Sequence, residues 1–259
     1  MLFSPTKLLT AALAALPLLA SLGNAQAMVM IREGDTVVLA GPVVAEDGDK
    51  FRRLLAQGPL TRVILLGSRG GSMSGGLSVA NQIRAQGINT VVAGPCSSSC
   101  AVIFMGGVER QMMGGKTLAQ TRLGFHGPHN HTTKAVTARG ADQMYDWLEK
   151  KSDGKFSGEL LDRAMRITHA GDILFFYYTD PQQSPDQPGV VFCPEHVRLR
   201  SLCQQFPGVD AFSAGVLTTR TLFPPDTPIY ATALAAQPPQ EAASAPQEPA
   251  SGAPVPAQK

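Results

Sequence analysis

The strongest constraint on the fold is a four-residue apolar run, Val63-Ile64-Leu65-Leu66, that opens directly into Gly67-Ser68-Arg69-Gly70-Gly71-Ser72. The run has no polar alternation, so both of its faces must be covered. That reads as a buried strand of a parallel sheet. A helix follows the glycines: Leu77, Ala80, Ile83 and Arg84 keep helical spacing until Gly87. Residues 88–92 read as the next strand, and Gly94-Pro95 is expected to end it. Residues 97–105 read as a helix that is apolar all round after a polar start, closed by Gly106-Gly107.

The same alternation extends to either side. Residues 35–39 form a β-rich run, and residues 47–57 have Phe51, Leu54 and Leu55 on one helical face. Residues 121–125 read as a strand, 135–151 and 158–167 as helices, and 173–178 as an aromatic-rich strand. The expected class is therefore α/β with a largely parallel sheet and crossover helices.

Both ends lie outside this pattern. Lys7, the uncharged apolar run 8–22 and the small-x-small triplet Ala25-Gln26-Ala27 read as an export signal cut after Ala27. The run is too short to span a bilayer. From Leu234 onward the chain is almost entirely Ala, Pro, Gln, Ser and Glu, which cannot bury enough apolar surface to offset ordering entropy. The division is a signal peptide at 1–27, one domain at 28–231 and a disordered tail at 232–259, whose partner is unknown. Export places the mature chain in the periplasm or outside the cell, with an uncleaved N-terminal membrane anchor as the less favoured alternative. The net charge is only +2 in 259 residues, which gives no long-range field, so nucleic acid is not expected as a partner.

Four cysteines in an exported chain favour disulfides. Cys193 and Cys203 would close a short loop and are the favoured pair. Cys96 and Cys100 are harder to join, because i and i+4 side chains on a regular helix lie beyond disulfide reach. That pair requires a turn or a distorted helix start. Neither spacing is of the zinc-binding CxxC type.

Three segments carry chemistry. Glycines at 67–72 let a backbone approach a ligand with its N–H groups outward. The loop lacks both the P-loop Gly-Lys-Ser/Thr and GxGxxG, so phosphate is not its expected ligand. Ser97-Ser98-Ser99 lie at a strand-to-helix junction. Serines there are ordinarily N-caps, but the free N–H groups also stabilise charge beside a nucleophile. His126 ends a strand-like run, where a fixed backbone can aim it as a base at neutral pH. A metal cluster of His126, His129 and His131 is the weaker alternative, since no acidic or cysteine ligand is interleaved. In chain order these segments supply an oxyanion hole, a nucleophile and a base.

The stretch from Val63 through Pro128, including Gly75 to Ile83, Gly106-Gly107 and Gly124-Phe125-His126-Gly127-Pro128, resembles the Clp protease proteolytic subunit and its exported relatives. The resemblance implies a ClpP/crotonase-like fold of repeated β-β-α-type units and a periplasmic serine peptidase-like hydrolase. It implies Ser98 as nucleophile, His126 as base, and Gly70 and Ser99 as oxyanion donors. Asp172 is the expected third member of the triad, with Asp162 and Asp180 as alternatives. Gly71 and Arg69 would line the substrate path, where an extended peptide would add as a strand beside Gly70-Gly71. Arg69 replaces the family's proline. The substrate would be a peptide or protein, no cofactor or metal is implied, and a homo-oligomer is expected. The fold also hosts proteins that bind without cleaving, so an inactive binding or scaffold module is the alternative, and acyl-CoA chemistry is disfavoured by export.

Overall fold

A computed structural model describes residues 27–130, 132–156, 158–180, 187–197, 199–225 and 227–231. The expected signal segment, apart from Ala27, and the tail beyond residue 231 lie outside these residues.

The elements are β1 (Val29–Glu33), β2 (Thr36–Ala40), α1 (Asp47–Leu55), β3 (Arg62–Ser68), α2 (Met73–Ala85), β4 (Asn89–Ser97), α3 (Ser99–Met105) and β5 (Arg110–Met112). They continue with β6 (Arg122–Phe125), α4 (Ala141–Lys151), α5 (Gly158–Met165), β7 (Ile173–Tyr177), β8 (Val190–Cys193) and β9 (Gln204–Gln205). One sheet runs in the order β1-β2-β3-β4-β6-β7-β8-β9, with β5 also paired to β4. The expectation of a largely parallel sheet is corrected. Only the centre is parallel, with β2 on β3, β3 on β4, and β4 on both β5 and β6. Both flanks, β1 with β2 and β6 through β9, are antiparallel. The fold is mixed α/β.

The central strands are apolar on both faces because both are covered. Val37, Leu39, Val63, Leu65 and Val92 join the core beneath the helices, with Phe51, Val79, Ile83 and Phe104. The alternate residues Val38, Ala40, Ile64, Leu66, Val91 and Ala93 pack against Met113, Ile229 and Tyr230. A period of two thus sends successive side chains into two different cores.

Contrary to expectation, β4 does not end at Gly94-Pro95. Its first half pairs with β5 through Thr90, Val91 and Val92, and its second half pairs with β6 through Pro95, Cys96 and Ser97. Gly94 makes the change of partner at φ +76°, and its N–H donates to Thr121 Oγ1 at 2.8 Å. Proline tolerates such an irregular point because no ladder donor is lost there. The helix expected from 135 begins only at Ala141, after Gly140 at φ +84°.

A buried arginine ties the C-terminal segment to this frame. Arg110 is 2% exposed and donates to the carbonyls of Val216 (2.9 Å), Gly107 (2.9 Å) and Gly215 (2.8 Å). Burial pushes its pKa down to about 10. Arg110→Leu would orphan three buried carbonyls at ~1–3 kcal/mol each. We expect a loss of about 4 kcal/mol in chemical denaturation.

Candidate functional site

The helix α3 is buried along its whole length, from Ser99 to Met105. Its start is therefore fixed by packing on every side. Just before it stands Ser98 at φ +59°, ψ −131°, 6% exposed. A non-glycine residue in this region is held there by its surroundings. Two of those surroundings are visible. The Ser98 N–H donates to the Gly124 carbonyl of β6 at 2.8 Å. A disulfide also joins Cys96 on β4 to Cys100 in the first turn of α3, with Cα atoms 5.3 Å apart.

The geometric objection to that disulfide applied to a regular helix. Here Cys96 is still in the strand, and the chain reverses at Ser98 before Cys100. The second disulfide joins Cys193 and Cys203, the favoured pair. All four cysteines are bonded, as suits an oxidising compartment. No helix among the described residues is long and apolar enough to cross a membrane.

The three serines differ in placement. Ser97 ends β4, where a Cβ added to Gly124 would meet its Oγ at 2.6 Å. Ser99 is fully buried with an unpartnered Oγ, and its Cβ faces Gly76 of α2. Ser98 alone stands at the reversal.

Gly70 converges on the same point. A Cβ added to it would meet Ser97 O at 2.5 Å, Ser98 Cβ at 2.6 Å and Ser99 N at 2.9 Å. The backbones of Gly70 and Ser99 therefore flank the Ser98 side chain. Ser99 opens α3, so its N–H has no partner within the helix. The Gly70 N–H is directed at Ser68 Oγ, at 3.2 Å. Behind this loop, Val43 N–H donates to Gly70 O at 3.0 Å and Ser72 N–H to Val43 O at 2.8 Å. Those bonds limit where a substrate strand could add. The edge of Gly70-Gly71 facing Val43 is paired within the chain, and a Cβ on Gly71 would meet Val43 O at 2.2 Å. A substrate strand cannot use that edge. Arg69 is exposed beside it.

His126 follows β6, which lies beside the strand carrying Ser98: Ser97 pairs with Gly124. Phe125 fixes the approach through edge-to-face contacts with Phe156 (5.4 Å) and Phe176 (5.6 Å). On the other side Gly127 packs so closely that a Cβ would meet Met165 O at 2.1 Å. His126 Nδ1 lies 2.9 Å from the Gly127 carbonyl. With the proton on Nδ1 this contact leaves Nε2 as the basic nitrogen. A hydrogen bond between such a hydroxyl and its base is commonly long in an unliganded site.

The three candidate aspartates have the following partners. Asp172 is buried, and Oδ2 accepts from Thr168 N, Thr168 Oγ1 and His169 N, each at 2.9 Å. Its Oδ1 accepts from Glu195 N at 3.0 Å. Asp172 thereby clamps its own loop to residue 195, with His169 Nδ1 3.7 Å from Oδ2. Asp162 pairs with Arg166 on the surface of α5 at 2.8 Å. Asp180 follows the end of β7 that pairs with Arg122, a strand length from His126.

Burial raises the pKa of Asp172, but the hydrogen bonds from His169, Glu195 and Thr168 outweigh it and hold the carboxyl below its ordinary value. A depressed carboxyl stabilises the fold above its unfolded pKa, and this is lost as pH falls through the folded value. Asp172→Asn should cost about 2 kcal/mol at pH 7. The gap from the native protein should close as thermal melts are taken below about pH 4.

The His126 and His129 rings lie 5.0 Å apart between centroids, and His131 is outside the described residues. Among those residues no group of three His, Cys, Asp or Glu side chains could hold a metal ion.

No protein-family model matches this chain, and no curated protein matches it. Among solved structures it is similar to an alanine mutant of 1510-N, a membrane-bound stomatin-specific protease, at 13% identity over 49% of this chain and 67% of that one, with a TM-score of 0.38. A likeness of that size assigns no activity to this chain.

Proposed function

We propose that the protein is an exported serine peptidase-like hydrolase in which Ser98 attacks the carbonyl of an extended peptide. His126 Nε2 takes the Oγ proton, and the N–H groups of Gly70 and Ser99 receive the oxyanion. His126 then protonates the leaving amine, and water releases the acyl group from Ser98. One observation carries the reading: a glycine backbone and the first N–H of a buried helix close on the side chain of a serine held at positive φ. The Gly127 carbonyl takes the orienting role that Asp172 was expected to fill. Asp172 holds the following loop instead. For the Gly70 N–H to serve, it must turn from Ser68 Oγ to the substrate oxygen. Arg69 would meet the substrate beside Gly71, and no cofactor enters the chemistry.

The rival is an inactive member of the same fold that binds without cleaving. The Gly70–Ser68 bond favours it. A fluorophosphonate probe separates the two, because it reports an activated serine without knowledge of the substrate. The hydrolase reading expects one adduct, mapped by peptide mass spectrometry to Ser98. No adduct, or an adduct spread over Ser97 and Ser99, would leave the binding module.

A further inference from the structure

The oxyanion loop is held from behind by a strap, and that strap ends on a buried acid that the reaction does not use. Val43 bonds both Gly70 O and Ser72 N. Its neighbour Val44 donates its N–H to Asp47 Oδ2 at 2.8 Å. Asp47 is fully buried at the start of α1, and its Oδ1 has no hydrogen-bond partner. An unpartnered carboxylate oxygen in a protein interior is costly and calls for a donor.

A candidate donor is the chain itself at residue 28. Met28 is fully buried, whereas Ala27 is exposed. The Met28 N–H acts on the Asp47 carboxyl without closing a full hydrogen bond to Oδ1. The Met28 carbonyl is meanwhile fixed by Lys50 Nζ from α1. Residue 28 also directly follows the small-x-small triplet at 25–27. The two charged groups that act on Asp47 are Lys50, which favours its ionised form, and Glu46, which opposes it. Burial is the largest influence and pushes its pKa up, the mark of a carboxylate short of positive charge.

We infer that hydrolysis of the Ala27–Met28 bond creates an α-ammonium at Met28 that pairs with Asp47 and, through Val44 and Val43, sets the Gly70 loop. In the processing step water adds across the peptide bond. Ala27 departs as a carboxylate, and the Met28 nitrogen gains the protons that make it –NH3+. One weakly placed amide N–H is thereby replaced by three donors carrying a full charge, beside an oxygen that lacks one. Asp47 is then a positioning residue, and removal of the leader both releases the protein and finishes its site. The claim about Gly70 rests on the hydrolase reading, whereas the pairing of Met28 with Asp47 does not.

The test compares three full-length mature chains: one beginning at Met28, one retaining Ala27, and one beginning at Met28 with its amine acetylated. None of them alters a residue of the site. In the Met28 form the α-amine, read by NMR titration, is expected above its ordinary ~7.7–8.0. Amide hydrogen exchange at Val44 and Ser72 should slow at least tenfold relative to the other two forms. Fluorophosphonate labelling of Ser98 should be at least tenfold faster, and Asp47→Asn should erase all three differences. An ordinary amine pKa with equal exchange in the three forms overturns the inference. Equal labelling despite a raised amine pKa overturns the link to Gly70 and leaves the hydrolase standing. A raised pKa with slowed exchange but no labelling in any form upholds the terminal pair and removes the hydrolase reading.

Discussion

Ser98→Ala is expected to abolish fluorophosphonate labelling and to lower any peptide hydrolysis by a factor of about 10⁶ in kcat, the order seen when a serine nucleophile acting as a unit with its base is removed. The fold should be almost unaffected. Ser98 contributes backbone contacts, through its N–H to Gly124 and its carbonyl to Val102 N, that alanine keeps. The one cost is that alanine must also sit at φ +59°, ψ −131°, where any side chain with a Cβ is strained by about 1–3 kcal/mol. That strain is already present with serine, so thermal melts of the two proteins should nearly coincide. Ser97→Ala and Ser99→Ala serve as controls. Ser99 points at Gly76 within the core, and Ser97 lies beside Gly124. Both should keep labelling, so the experiment fixes the register within the run of three serines.

The parts of the fold legible in the sequence were those where one local rule suffices. The run Val63–Leu66 is unbroken because its two faces enter different cores, and the glycines after it mark a backbone in close contact. The segments bearing Ser98 and His126 were legible for the same reason. Misreadings arose where a distant segment overrides the local rule. Pro95 stays in a strand because β4 exchanges β5 for β6 at Gly94, and Thr121 supplies the acceptor. The antiparallel flank escaped notice because β9 is only Gln204-Gln205, polar and exposed, recruited by β8. Asp172 was chosen on spacing alone, which does not show that Thr168, His169 and Glu195 donate to its oxygens. Nothing in the sequence marks Asp47 or Arg110 as buried. Their burial follows from residues 28 and 216, which no local pattern connects to them.

Gly70→Ala should also be severely damaging to catalysis, though less than loss of the nucleophile, and by a different route. The residue sits at φ +86°, where an L side chain is rarely found. Its new methyl would meet Ser97 O at 2.5 Å, Ser98 Cβ at 2.6 Å and Ser99 N at 2.9 Å. Two of these are backbone atoms of β4 and α3, and α3 is buried throughout, so neither can yield. The loop must therefore retreat, pulling the Gly70 N–H away from the point where the oxyanion forms. Removing one such donor costs ~2.7–4 kcal/mol, or about 10²–10³ in kcat. Displacing the serine as well adds to this. Retreat is opposed from behind by the two backbone bonds to Val43, so the strain is shared with the strap and stability should fall by about 2 kcal/mol. Gly71→Ala separates the two effects, because its methyl would strike Val43 O and not the serine. It should destabilise the protein comparably while sparing more of the labelling. If Gly70→Ala labels at the native rate, backbone donors at this loop do not stabilise the adduct, and the oxyanion site lies elsewhere.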